Sequence, residues 1–91
     1  MTPPGGGDAL FQFPSAFSIK VMGLAAPDFD ALVVEIVRRH VPGLGEGAVR
    51  VRPSSGGKYL AVTVSFQAES RAQLDDLYRE LSGHPRVLMS L

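Results

Sequence analysis

Residues 49–66 constrain this chain more than any other stretch. Val49 and Val51 alternate with Arg50 and Arg52, Pro53-Ser54-Ser55-Gly56-Gly57-Lys58 intervenes, and Leu60, Val62, Val64 and Phe66 then alternate with Ala61, Thr63 and Ser65. A period of two marks strands with one buried face, and a Pro/Ser/Gly cluster between two such runs supplies the turn. The stretch reads as an antiparallel hairpin, with strands over residues 48–52 and 59–67. Whatever else the chain does, it must cover one valine-rich face of the sheet that this hairpin starts.

Two amphipathic helices are spaced to do so. Before the hairpin, Phe29, Leu32, Val33, Ile36 and Val37 form one apolar stripe at helical spacing. Pro27 suits the first helical position, Asp28 and Asp30 lie at the positive end of the helix dipole, Arg38, Arg39 and His40 lie at the negative end, and Pro42-Gly43 stops it. After the hairpin, Ser70 and Gln73 form a capping box, each satisfying the other's free N–H. The stripe that follows is Leu74, Leu77, Tyr78 and Leu81, with Gly83 placed to end the helix in a left-handed conformation. A strand precedes the first helix, with Phe17, Ile19 and Val21 alternating with Ser18, Lys20 and Met22. Residues 84–91 form the last strand, with Val87, Met89 and Leu91 facing inward. The order β-α-β-β-α-β, with right-handed crossovers, puts both helices on one face of a four-stranded antiparallel sheet whose first and third strands are central. This is the α+β, ferredoxin-like plait.

Ninety-one residues make one domain. Residues 1–9, rich in Pro and Gly, read as a flexible tail, and residues 10–91 as the single domain, entered through Leu10, Phe11 and Phe13. Charge is balanced at nine residues of each sign, so bulk electrostatics favours neither nucleic acid nor a membrane surface. Cysteine is absent, which removes thiolate chemistry and suits a reducing compartment. No signal peptide or membrane span is visible, so a cytoplasmic location is expected.

Strand alternation assigns Lys20, Arg50, Arg52 and Arg86 to the open sheet face, with no Asp or Glu among them. The acids Asp28, Asp30, Glu35, Asp75, Asp76 and Glu80 fall on the helices, so a neutral chain acquires a basic side and an acidic side. Two further sites are legible. Gly23, Leu24, Ala25 and Ala26 lead from a strand to a helix N-terminus, where small residues either let a ligand approach backbone N–H groups or simply allow a tight turn. At the hairpin tip, Ser54, Ser55, Lys58 and the glycine N–H groups form a loose anion site or an ordinary turn. A Walker loop is excluded, since Arg52 stands where Gly is required and Tyr59 where Ser or Thr is. An RNA-binding sheet needs two or three stacking aromatics in its central strands, and Tyr59 alone is offered, so nucleic acid is not expected. His40 and His84 have no third ligand at metal-site spacing. No nucleophile–base pair can be assembled, so no catalytic residue, metal or cofactor is expected, nor an enzyme.

Several strings together resemble the small uncharacterised bacterial family typified by the YbeD protein. They are Phe13-Pro14, Lys20-Val21-Met22-Gly23, Arg39-His40-Val41-Pro42-Gly43, Pro53-Ser54-Ser55, Leu77-Tyr78 and Val87-Leu88-Met89-Ser90-Leu91, spread over about residues 10–91. The resemblance implies a fold similar to ACT regulatory domains, which bind amino-acid effectors at a strand-to-helix junction like Gly23–Ala26. It implies no activity, and no more than a link to lipoate attachment, whose genes often lie near those of the family. The functional expectation is a non-catalytic, ACT-like regulatory domain that binds a small anion or amino acid at that junction or across an interface between subunits, which admits a homo-oligomer. The alternative is a protein-interaction adaptor that offers its basic sheet face to an acidic partner. No membrane partner is expected.

Overall fold

The computed structural model describes residues 12–91, and four strands and two helices follow in the expected order. They are β1 (Ser15–Leu24), α1 (Phe29–His40), β2 (Val49–Pro53), β3 (Tyr59–Ala68), α2 (Arg71–Ser82) and β4 (Met89–Ser90), with a short 3-10 turn at Glu46–Ala48. The antiparallel sheet runs β2-β3-β1-β4, so the two long strands are central and the two short ones are edges. The fold is the ferredoxin-like α+β plait. The tail expected over residues 1–9, with Leu10 and Phe11, lies outside the described residues. Phe13 packs against the core.

Alternation decides what is buried. Ile19 and Val21 on β1 and Val62, Val64 and Phe66 on β3 point to the helices. They meet Phe29, Val33, Ile36 and Val37 from α1 and Leu74, Leu77 and Leu81 from α2. Each such side chain contributes about 1.5–3 kcal/mol on burial. Val51 shares this face but stays 44% exposed on the β2 edge, while Val49 of the same strand packs against the core.

The two helices are also tied by polar groups. Ser70 Oγ accepts from the Gln73 N–H at 3.1 Å, as the capping pattern requires. The return bond goes elsewhere: Gln73 Oε1 accepts from Glu69 N–H at 2.7 Å, while its Nε2 donates to the His40 carbonyl at 2.7 Å. Gln73 thus caps α2 and satisfies a carbonyl at the end of α1. Glu80 on α2 adds a 2.7 Å bond with His40 Nε2 and a pair with Arg39.

Four local expectations need correction. β1 continues through Gly23 and Leu24, which pair with Leu60 and Tyr59 instead of lying in a loop. α1 starts at Phe29, two residues after Pro27, with Asp28 as its N-cap. Gly83 remains right-handed (φ −83°), because its N–H returns to the Arg79 carbonyl and the chain goes straight into further turns. Those turns, with Pro85 among them, use up residues 83–86, so the last strand shrinks to two residues. Its register sets Met89 opposite Met22, and Leu91 exchanges both backbone bonds with Lys20. Met89 and Leu91 therefore share the open face with Met22 and Lys20, and only Val87 of the three packs on the core.

Candidate functional site

The open sheet face is built from the residues that alternation leaves over. Thr63 lies opposite Arg50 on one side and Lys20 on the other, and Ala61 lies opposite Arg52 and Met22. The small side chains of β3 form a floor, and the long cationic ones rise on both sides of it. Lys20, Arg50, Arg52, Ala61 and Thr63 line one shallow cleft.

Charge pairing separates this face from the helices. Glu35 pairs with Arg39, Asp75 with Arg71, Asp76 with Arg79, Glu80 with Arg39 and His40, and Asp28 with Arg86. Lys20, Arg50 and Arg52 meet no carboxylate at ion-pair distance among the described residues. The expected acidic side is thus largely neutralised by its own helices, while the basic side is not.

Arg86 does not belong to the basic face. It lies in the turn before β4, where strand alternation has no force, and its guanidinium donates two bonds to Asp28, at 3.0 and 2.8 Å. It also sits over the Phe29 ring, 5.9 Å from the centroid. The bond from Arg86 holds the Asp28 carboxyl below its usual range and raises the guanidinium in return.

The strand-to-helix junction is occupied by the protein itself. A Cβ on Gly23 would come within 2.5 Å of the Arg86 carbonyl and the Phe29 ring, so this glycine permits close packing. The Ala25 N–H is spent on the Lys58 carbonyl at 2.9 Å, and the Phe29 N–H on the Ala26 carbonyl at 3.2 Å. At the hairpin tip, Gly56 and Gly57 adopt φ +86° and +74°, which the turn requires. Ser54 Oγ accepts from Tyr59 N–H at 3.0 Å, the Gly57 N–H goes to the Ser54 carbonyl at 2.8 Å, and Lys58 Nζ lies 5.6 Å from the Tyr59 ring centroid. Ser55 is exposed beside them. The tip residues thus serve their own turn and are not part of the sheet cleft.

Among the described residues no three His, Asp or Glu side chains come together to hold a metal, and no helix is long and apolar enough to cross a membrane. The floor residues Ala61 and Thr63 were readable by alternation but carry no chemistry that draws notice in a sequence. Met89 and Leu91 on the open face had no sequence signal, since a turn fixes their register.

Comparison with known proteins gives a consistent family. Residues 8–91 match the model of a protein of unknown function, DUF493. A UPF0250 protein of Paraburkholderia phymatum is 48% identical over 92% of this chain and 94% of its own length. One from Leptothrix cholodnii is 51% identical over 91% of each chain. The solution structure of protein HP0495 from H. pylori superposes with a TM-score of 0.72 at 12% identity, covering 100% of this chain and 96% of that one. At that identity the likeness concerns the fold.

Proposed function

This chain belongs to the DUF493 family of uncharacterised bacterial proteins, and we propose that it is a non-catalytic interaction module that docks an acidic protein partner on its open sheet face. One observation carries the reading: Lys20, Arg50 and Arg52 converge on a cleft where, among the described residues, no carboxylate comes within ion-pair distance of them, while most of the helix acids are matched by neighbouring cations. Clustered cations repel one another, and a partner's carboxylates relieve that repulsion. Such a cluster also speeds encounter with an acidic surface in a salt-dependent way. The small floor of Ala61 and Thr63 gives incoming side chains access to all three cations. The absence of cysteine suits a reducing compartment such as the cytosol.

An ACT-like effector site at Gly23–Ala26 ranks second, because Phe29 and the Arg86 carbonyl fill the space at Gly23. A thermal-shift screen of amino acids and small anions addresses it, since a ligand of the native state raises the melting temperature by mass action.

The test of the first reading is affinity capture from native cytosol with two baits, the parent and Arg50→Ser/Arg52→Ser. Both residues are exposed, so the double variant should melt within about 0.5 kcal/mol of the parent. A protein held by the parent at low salt, released as salt rises and lost from the variant supports the sheet face. A partner held equally by both baits at low salt overturns it.

A further inference from the structure

The cationic cleft covers only part of the open face, and an apolar strip lies beside it toward β4. Five large apolar side chains are substantially exposed among the described residues: Leu24 (56%), Val51, Leu88 (58%), Met89 (50%) and Leu91 (64%). All but Val51 gather at the end of β1 and around β4. Met22, Tyr59, Leu88 and Met89 line one shallow depression, and Leu24 and Leu88 line another with Pro85 and Arg86. Isolated exposed leucines are ordinary, whereas a contiguous set beside a polar zone marks a contact surface.

Sheet register joins this strip to the cations. One cross-strand row reads Arg52, Ala61, Met22, Met89, and the next reads Arg50, Thr63, Lys20, with Leu91 bonded beside Lys20. Each row runs from a guanidinium on the β2 edge to a large apolar side chain on the β4 edge. With strands ~4.8 Å apart, three steps separate the two ends by roughly 14 Å.

We propose that the partner is an acidic amphipathic segment of another protein, lying across the strands with carboxylates over Arg50 and Arg52 and large apolar side chains over Met22, Met89 and Leu91. The inference rests on the preceding reading and specifies its partner. A free anion would fill the basic end and leave the apolar end bare. A second copy of this chain, joined by its apolar strips about a two-fold axis, would leave the cations unmatched; joined cation to cation, it would repel. Nucleic acid would find the cations but, on this face among the described residues, only Tyr59 to stack on. Charge complementarity at one end and apolar burial at the other together fit the amphipathic segment.

The test uses a displayed library of random peptides selected against the full chain at low salt. The selected peptides are then measured against two variants, Arg50→Ser/Arg52→Ser and Met22→Ser/Met89→Ser. Enriched peptides should combine two or more acidic residues with large apolar ones. The methionine variant should lose about tenfold in affinity even in about 0.5 M salt, where surface charges are screened, and the arginine variant should lose most at low salt. Should the methionine pair disturb folding, Leu91→Ser at the chain end replaces it. Acid-only peptides, indifferent to the apolar substitutions but lost with the arginines, overturn this inference and leave the basic-face reading standing. Peptides indifferent to both variants, or no enrichment over an unrelated domain, overturn both.

Discussion

The two faces of one sheet offer the sharpest contrast in this molecule. On the helix side, Ile19, Val21, Val62 and Val64 are fully buried, and every one is fixed by the need to fill a core. One residue away along the same strands, Lys20, Met22, Ala61 and Thr63 alternate to the face away from the helices, where folding asks of them chiefly that they suit a strand. Their composition therefore reports something other than folding. This face, freed from packing, carries Arg50 and Arg52 on its β2 edge, Lys20 on central β1 and exposed apolar groups around β4, and the proposed docking rests on that arrangement.

That contrast can be broken first on the helix side. Val62→Asp should abolish cooperative folding, since a carboxylate among Ile19, Phe29 and Leu77 has no partner and its burial costs on the order of 5 kcal/mol, comparable to the whole stability of a domain this small. A native-like thermal melt would mean that the strand faces are inverted. A smaller effect should come from Gly23→Ala. Overpacking against Phe29 and the Arg86 carbonyl costs about 1–3 kcal/mol, read as a lower urea midpoint. An unchanged midpoint would show instead that the junction has room to spare, and would revive it as a ligand site.

The smallest effect sharpens the boundary between the faces at Arg86. Its bonds depress the Asp28 carboxyl in the folded protein, so the stabilisation is present above the unfolded carboxylate value and is lost as pH falls through the folded one. Parent and Asp28→Asn should therefore differ in melting temperature near neutrality and converge in acid, below the ordinary carboxylate range. Parallel pH profiles would detach Arg86 from Asp28 and return it to the open face.

Most of the fold was legible in the sequence because alternation and helical stripes are local signals repeated many times. Val49, Val51, Val62 and Val64 declare a strand face whatever surrounds them, and the stripe from Phe29 to Val37 declares a helix. The cleft was legible for the same reason: Lys20, Arg50 and Arg52 inherit their direction from buried neighbours. What escaped depended on contacts distant along the chain. Arg86 turned to Asp28 because residues 83–86 make turns into the stretch where a strand was expected, and a two-residue β4 takes its register from those turns. Gly23 looked like loop chemistry because nothing local announces the ring of Phe29 above it. The pairing of helix acids was within reach, since Glu35–Arg39 and Arg71–Asp75 are ordinary neighbours four residues apart.

Thr63→Asp tests the division of labour most directly, because it adds a carboxylate next to Val62 in sequence but on the other face. Thr63 lies between Arg50 and Lys20 in the cleft, so the new charge meets cations instead of the core. Thermal melting should stay within about 1 kcal/mol of the parent, the strand cost of Asp being offset by those neighbours. Binding of the acidic partner or selected peptide, measured on the same sample by titration calorimetry, should be abolished at low salt as the carboxylate occupies the cleft. An unfolded variant, or one that folds and binds as the parent does, would contradict the assignment of folding to one face and recognition to the other.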